Sequence, residues 1–290
     1  MSNILENNNN NNNVEGTTNI NEEHPTTPPS LFELSYNWKM LGLFMLSLMV
    51  LLSALNSTTR KKLVAILRGL GIGVRRVPRV IKELKRKGFH FSGLIIPIIY
   101  LFGLNYTTFI TQKFAFNLMG SITLGYFIWE CLRLNIPAVK EFCLKAYGGM
   151  MREKERDSFN GVLFYLLGST LCIYFFRPLI AIASILFLII GDFCAALIGI
   201  SYGKTRIFGK KSLEGTLAMF FVCLLISLAL FWQSNLCEQL AFWGALSAAL
   251  VELLNPSFID DNLTIPIVSG LMIELISIRL HAQIPDHTLS

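Results

Sequence analysis

Charged residues are scarce in this chain. Asp, Glu, Lys and Arg together make up 15% of the 290 residues, against about 25% in an average soluble protein. Hydrophobic residues account for 53%, and they are not arranged to give a water-facing shell. This composition excludes an ordinary soluble enzyme, a fibrous protein and a secreted disulfide scaffold. It indicates a polytopic membrane protein.

Several motifs of common chemistries are also absent. The six cysteines form no CxxC pair and show no metal-ligand spacing, so we interpret them as small buried apolar side chains. The HExxH motif does not occur. The segment from Gly199 to Thr205 resembles a P-loop, but three residues separate its glycines where four are required, and it follows an apolar helix instead of a strand. The standard ATP-binding motif is therefore excluded.

What the chain does contain is a series of apolar blocks, and a helix of about 20 apolar residues crosses the hydrocarbon core of a bilayer. We predict an all-α, polytopic transmembrane helix bundle of seven or eight spans. The candidate spans are 38–55, 88–104, 114–132, 159–176, 178–200, 213–232, 239–254 and 263–280.

The composition also divides the chain into regions. Residues 1–37 are rich in Asn, Pro and Thr and are predicted to be a disordered leader, because they cannot bury enough apolar area to offset their ordering entropy. Residues 38–87 are predicted to hold the first span and a basic cytosolic linker. The catalytic transmembrane domain is predicted at 88–280, with a short tail at 281–290.

The positive charges lie mostly in loops that eight spans would place on one side. Loops 56–87, 133–158, 201–212 and 255–262 carry 11, 6, 4 and 0 of the 25 Lys and Arg residues. The positive-inside rule makes that side cytosolic. Because these residues flank membrane spans and do not form an aromatic-studded face, the net charge of +6 does not indicate a nucleic-acid partner.

One ionisable residue stands out inside a predicted span. Asp192 lies about eight residues from the cytosolic end of span 178–200, which is roughly 12 Å deep at 1.5 Å per residue. A charged group at such a depth is costly, so Asp192 is a candidate functional residue. Pairing with a Lys or Arg for packing alone is the alternative.

Other polar residues cluster at the same predicted boundary. Glu130 and Arg133 lie three residues apart, close enough to pair on one helix face. Cations that clamp phosphate oxygens and carboxylates that hold Mg²⁺ are the groups that phosphoryl transfer from a nucleotide needs. The candidates at this boundary are His90, Glu130, Arg133, Arg152, Lys204, Lys211, Ser212, Glu214, Asp260, Asp261 and Asn262.

Together these segments resemble the CTP-dependent lipid kinases, the family of diacylglycerol kinase, dolichol kinase and phytol kinase that is related to phosphatidate cytidylyltransferase. The ordered match covers residues 86 to about 270, roughly two thirds of the chain, and is most similar to the diacylglycerol kinase branch. Its pieces are Arg86-Lys87-Gly88-Phe89-His90, Glu130-Cys131-Leu132-Arg133, Arg152-Glu153-Lys154-Glu155, Asn160-Gly161, Gly191-Asp192, Gly203-Lys204, Lys211-Ser212-Leu213-Glu214-Gly215 and Asp260-Asp261-Asn262-Leu263-Thr264-Ile265-Pro266.

The resemblance implies transfer of the CTP γ-phosphate to the hydroxyl of diacylglycerol, with Mg²⁺ or another divalent cation such as Ca²⁺. It implies a multi-pass protein of the endoplasmic reticulum or nuclear envelope with its active site facing the cytosol. The implied roles are catalysis by Asp192, Lys211, Glu214 and His90; nucleotide binding by Lys204, Ser212, Arg152 and Asn262; metal binding by Asp192, Asp260 and Asp261; and positioning by Glu130 and Arg133. Asp192 either accepts the hydroxyl proton or binds the metal, and both roles stay open.

Three alternatives remain at this point. A dolichol kinase would use the same donor with a long isoprenoid acceptor. An enzyme of CDP-diacylglycerol synthesis is disfavoured, because the terminal His-Gly-Gly run of that family is missing here. A transporter using Asp192 as an ion or proton site is disfavoured by the lack of an internal repeat and by the clustering of polar residues at one boundary.

Overall fold

The computed structural model describes residues 68–69, 71–73, 76–107, 109–148, 151–209, 211–255 and 259–284, without the side chains of residues 82, 85, 86, 88–90 and 147. The predicted leader at 1–37 and the predicted first span at 38–55 lie outside this set. All the described residues belong to one compact unit. They are predominantly helical, which confirms the predicted all-α class.

The helices are α1 (Val77–Phe91), α2 (Ile95–Tyr106), α3 (Gln112–Asn135), α4 (Pro137–Tyr147), α5 (Gly161–Phe175), α6 (Pro178–Leu186), α7 (Asp192–Ser201), α8 (Leu213–Leu230), α9 (Cys237–Leu254) and α10 (Asp261–Arg279). Single turns of 3-10 helix lie at Ser92–Leu94 and Glu153–Arg156. A π-helical turn at Phe187–Gly191 joins α6 to α7. Two short strands, β1 (Arg206–Phe208) and β2 (Lys211–Ser212), pair antiparallel.

Among the described residues, four helical segments are long and apolar enough to cross a membrane: Pro178–Ser201, Leu213–Leu230, Cys237–Leu254 and Asp261–Arg279. The first of these is the continuous run of α6, the π turn and α7, and α6 is almost wholly buried. The others expose large apolar side chains along one face, such as Phe221 and Leu225 on α8 or Leu275 and Ile278 on α10. Exposed apolar faces of this extent fit contact with lipid.

The predicted spans from 114–132 onward each fall on one helix or one continuous helical run, whereas the predicted span 88–104 is divided. Helix α1 ends at Phe91 and α2 begins at Ile95. The 3-10 turn between them contains Gly93, whose carbonyl accepts a 2.8 Å hydrogen bond from the Tyr165 hydroxyl. A Cβ at this glycine would lie 2.9 Å from the Tyr165 ring and hydroxyl, so a larger residue would displace the Tyr165 side chain.

Helix α1 also occupies residues that the sequence predicts as a linker. Its apolar positions Val77, Val80 and Ile81 are buried, and they pack with Leu197 and Ile200 of α7. The spacing of three and four residues is that of an amphipathic helix. Because charged residues lie between these positions, α1 contains no long apolar run and is not predicted by a criterion based on such runs.

The alternation of helix direction brings the polar loops to one end of the bundle. From α5 to α10 successive membrane helices run in opposite directions, and α8 packs against α7 and α9 while α10 packs against α5 and α9. The first residues of α5 and α10 meet there, because a Cβ at Gly161 would lie 2.7 Å from the side-chain nitrogen of Asn262. We call this the polar end of the bundle. Its cytosolic orientation stays a prediction.

A second glycine allows α5 and α10 to approach closely below the polar end. Pro266 lies inside α10 and has no N–H to donate to the carbonyl of Asn262, one turn earlier. A Cβ at Gly168 of α5 would lie 2.9 Å from that carbonyl oxygen and 3.3 Å from the Pro266 ring. The two helices can therefore pack at this distance only if residue 168 is glycine.

We expect Gly168→Leu to lower the free energy of unfolding by about 1–3 kcal/mol, because the new side chain forces α5 away from backbone atoms of α10. The measurement is the thermal unfolding midpoint of the detergent-purified protein. Gly125→Leu on α3 is the matched control, since nothing lies within 4 Å of a Cβ at that position. Equal midpoints for the two variants would contradict the close approach of α5 and α10.

Candidate active site

Asp192 forms a buried ion pair with Lys87. The Lys87 ammonium contacts the Asp192 carboxylate and also donates to the Asp192 backbone carbonyl at 3.3 Å. Lys87 is 4% exposed and Asp192 is 6% exposed. Removing two charges from water is costly, and a buried ion pair is therefore weak support for a purely stabilising role. The pair joins the end of α1 to the start of α7.

The π-helical turn before Asp192 determines where this carboxylate lies. Such turns insert a residue into a helix and are frequent at functional sites. At the last residue of the turn, Gly191, a Cβ would lie 2.7 Å from the Sγ atom of Cys223 on α8. Asp192 is thus the first residue after a segment that packs directly against a neighbouring helix.

Arg152 lies among carboxylates at the start of α10. Its guanidinium is 3.5 Å from Asp260 and 3.4 Å from Asp261, and 3.7 Å from Glu155. Burial lowers the pKa of Arg152, but these three carboxylates outweigh burial and hold its pKa above the ordinary value. Arg152 therefore stays cationic. It is only partly buried, so it has access to a ligand at the polar end.

Asp260 and Asp261 place two carboxylates side by side. Burial raises the pKa of Asp260, and the charge of Asp261 raises it further. Two adjacent carboxylates fit a hard divalent cation, because Mg²⁺ is commonly held by one or two carboxylates together with substrate phosphates. The described side chains include no group of three His, Cys, Asp or Glu residues that could hold a metal. Asp192 is paired with Lys87 and does not complete such a group.

Three cations act on one of these carboxylates. Arg152, Lys87 and Lys211 all interact electrostatically with Asp261, although they come from a loop, from α1 and from β2. Lys87 therefore links the Asp192–Lys87 pair electrostatically to the Asp260–Asp261 pair. Lys211 is itself paired with Glu252, a buried residue near the end of α9.

Ser212 is the N-cap residue of α8, and three glycines lie next to its side chain. Its hydroxyl accepts a 3.2 Å hydrogen bond from the Gly215 amide, which caps the helix. A Cβ added at Gly199 would lie 3.1 Å from the Ser212 hydroxyl oxygen, and a Cβ added at Gly203 would lie 2.7 Å from it. These glycines allow α7 and the following loop to reach the start of α8.

The Glu214 carboxylate binds backbone amides of the loop after α7, whereas the Lys204 side chain is exposed to solvent. One Glu214 carboxylate oxygen accepts hydrogen bonds from the amides of Lys204 at 2.9 Å and Thr205 at 3.1 Å. The Glu214 carboxylate thereby fixes the loop between α7 and β1. The Lys204 side chain points to solvent and contributes no ion pair in the described part of the chain.

Glu130 and Arg133 form the predicted pair on one helix face, and both are fully buried. Arg133 donates to the two Glu130 oxygens at 2.8 and 2.7 Å, and to the carbonyls of Ser158 at 2.7 Å and Arg156 at 3.2 Å. Glu130 also accepts from the Asn160 amide at 3.1 Å. The pair therefore anchors the segment between Arg152 and α5.

Asn262 is buried, and its side chain donates to Asp260 at 2.7 Å. His90 lies in α1, and its side chain is outside the described set. Sequence reasoning missed Lys87 as a site residue, although it lies in the quoted segment Arg86-Lys87-Gly88-Phe89-His90. It also missed Glu252, which is an ionisable residue inside predicted span 239–254. The criterion that identified Asp192 applies to it equally.

The fold and these contacts define a helical membrane protein with a charged site at one end of its bundle. No protein-family profile matches the chain, and no solved structure resembles it significantly.

Curated relatives do match. CTP-dependent diacylglycerol kinase 1 of Saccharomyces cerevisiae is 30% identical over 219 residues, which is 67% of this chain and 73% of the relative. The protein of the same name from Schizosaccharomyces pombe is 31% identical over 180 residues, covering 56% of this chain and 82% of the relative. That from Eremothecium gossypii is 30% identical over 222 residues, covering 67% of each. The chain belongs to the CTP-dependent diacylglycerol kinase family, as the sequence motifs predict.

We expect Arg133→Met to lower the free energy of unfolding by about 3–5 kcal/mol, because it leaves the Glu130 carboxylate buried without its cation. Thermal unfolding in detergent checks this. Lys145→Met is the control, since Lys145 pairs with Glu141 on the surface, where such pairs contribute little. An unchanged unfolding midpoint for Arg133→Met would show that Glu130 and Arg133 do not anchor the segment before α5.

Proposed function

We propose that this protein is an integral membrane kinase that transfers the γ-phosphate of CTP to the free hydroxyl of diacylglycerol, giving phosphatidate and CDP. Membership in the CTP-dependent diacylglycerol kinase family carries this proposal. The site agrees with it chemically, because a buried carboxylate lies in one electrostatic cluster with cations and with a pair of carboxylates.

In the reaction, the lipid hydroxyl oxygen forms a bond to the γ-phosphorus, and the bond from that phosphorus to the β,γ-bridging oxygen breaks. The hydroxyl proton has to leave as the new bond forms. We assign its acceptance to Asp192, which is the buried carboxylate of the site. Lys87 orients this carboxylate and supplies positive charge close to the reacting groups.

The charge that spreads over the phosphate oxygens during transfer needs positive groups fixed in advance. Arg152 and Lys211 are suited to clamp these oxygens. The N-terminal ends of α5, α8 and α10 lie at the same end of the bundle and add partial positive charge. We assign Ser212 and Asn262 to contacts with the nucleotide; Lys204 is the most exposed member of this group.

Asp260 and Asp261 are the residues suited to hold Mg²⁺ or another divalent cation such as Ca²⁺. The bound ion would neutralise negative charge on the β- and γ-phosphate oxygens of CTP. Arg152 contacts both carboxylates. Its positive charge offsets the repulsion between Asp260 and Asp261 when no other cation is near.

The site also suggests how the two substrates meet. The polar end lies where apolar helices give way to charged loops, so a lipid in the bilayer and a nucleotide in water both reach it. We propose that this end faces the cytosol, because the loops predicted there carry most of the Lys and Arg residues. We place the protein in the endoplasmic reticulum or nuclear envelope membrane.

The proposed function is tested by offering γ-labelled CTP or ATP with diacylglycerol or dolichol to membranes that contain the protein. We expect label in phosphatidate with CTP and diacylglycerol. Label in dolichyl phosphate would show that the protein transfers phosphate but that its acceptor is dolichol instead of diacylglycerol. Transfer from neither nucleotide to either lipid would contradict a lipid kinase.

We expect Asp192→Asn to abolish transfer while the protein still inserts into the membrane, because the amide cannot accept the hydroxyl proton. Asp157→Asn is the matched control. Asp157 is an exposed carboxylate in the segment before α5, and it forms an ion pair with Lys140. Normal turnover by Asp192→Asn would remove Asp192 from the mechanism.

A further inference from the structure

Glu252 is a buried carboxylate to which the mechanism above gives no role. It lies in the last turn of α9 and is 4% exposed. A negative charge is unfavourable there, because the carbonyl end of a helix carries partial negative charge. The surrounding helix is apolar and long enough to cross a membrane, and burial in such surroundings adds a desolvation cost. A residue at this position needs a compensating interaction.

That interaction is with Lys211. The Lys211 ammonium contacts a Glu252 carboxylate oxygen. The Glu252 side chain is 6% exposed, while the Lys211 side chain is 34% exposed. The buried Glu252 carboxylate thus contacts the Lys211 ammonium from within the bundle, while the Lys211 side chain remains partly accessible to solvent. Lys211 also interacts electrostatically with Asp261, the first residue of α10.

A lysine needs such a partner if it is to act as a fixed positive charge. Its ammonium sits on a flexible four-carbon stem, and holding it in one place costs side-chain entropy. Lys211 lies on the short strand β2, next to residue 210, which is outside the described set. The backbone of β2 fixes where the stem begins, but it does not fix where the ammonium lies.

From this geometry we infer that Glu252 is a positioning residue for Lys211: it holds the ammonium where it stabilises the phosphate that is being transferred. The inference rests on the proposed kinase function. A cation that is already in place contributes more to catalysis than one that must reorganise during the reaction. The competing explanation is that Glu252 only ties α9 to β2, in which case its loss would affect stability and leave the rate constant alone.

The test compares Glu252→Gln, Lys211→Met and the double variant with the wild type, as full-length protein in mixed micelles of detergent and diacylglycerol. We expect Glu252→Gln to lower kcat by about 10- to 100-fold, with little change in the KM for diacylglycerol. In the Lys211→Met background, Glu252→Gln should cause no further loss of kcat, because no ammonium remains to be positioned. The double variant leaves neither charge unpaired, so it keeps the experiment informative if a single variant is unstable.

Glu274→Gln is the matched control. Glu274 lies on α10 at the opposite end of the bundle and pairs with Arg177 at 3.0 Å, so this variant also breaks a partly buried ion pair. We expect its kcat to equal that of the wild type.

The outcomes separate the inference from the function on which it rests. A wild-type kcat for Glu252→Gln, or losses of kcat that multiply in the double variant, would overturn the positioning role while leaving the kinase function in place. A wild type that does not phosphorylate diacylglycerol with CTP would overturn both. A kcat loss in Glu274→Gln equal to that in Glu252→Gln would show that breaking any ion pair has this effect, and would also overturn the inference.

Discussion

Pairing of buried charge is the constraint on which this structure depends. An apolar helical bundle can hold a charged group only if an opposite charge or several hydrogen bonds compensate for the lost water. At the polar end this is achieved by Lys87 with Asp192, Arg133 with Glu130 and Lys211 with Glu252. Arg152 lies among three carboxylates. Lys87 with Asp192 and Lys211 with Glu252 each join two segments, and the Glu130–Arg133 pair on α3 binds the backbone of the segment before α5.

The pairs differ in what they leave accessible. Glu130 and Arg133 are fully buried and use their remaining hydrogen-bonding groups on backbone, which suits an anchor. Arg152 and Lys211 are each backed by a buried carboxylate and keep an outer side available. Such an arrangement suits cations that have to meet a phosphate. The difference between the two kinds of pair divides the site into supporting residues and residues that contact substrate.

Backbone features bring these pairs together. Glycines at 161, 199 and 203 allow helices and loops to approach to distances that a Cβ would prevent. The π turn before Asp192 and the proline within α10 disturb regular helix beside the site. The regular parts of the bundle provide the frame, and the irregular parts lie next to the chemistry.

Much of this arrangement follows from the sequence. Long apolar blocks predict α3 and the helices from α5 onward, whereas α4 lies in the predicted loop 133–158. The spacing of Glu130 and Arg133 predicts their pairing because residues three apart share a helix face. Asp192 is predicted as functional because it is ionisable within an apolar block. These predictions need only local spacing and composition.

Other features depend on contacts between distant segments, which local spacing does not contain. The partner of Asp192 is Lys87, 105 residues earlier in the chain, and it reaches the site because α1 packs its apolar face on α7. Helix α1 is itself hidden among basic residues that resemble a linker. Glu214 is predicted to be catalytic, but its backbone hydrogen bonds depend on a loop whose path the sequence pattern does not define.

The central claim is that the Lys87–Asp192 pair is retained for chemistry and not for stability. The most direct test measures unfolding midpoints and phosphate transfer for Lys87→Met, Asp192→Asn and the double variant. We predict that each single variant unfolds at a lower temperature than the wild type, since one buried charge is left unpaired. The double variant should recover much of this loss, and none of the three should transfer phosphate at an appreciable rate. A double variant that transfers phosphate at the wild-type rate, or that is less stable than both single variants, would contradict the claim.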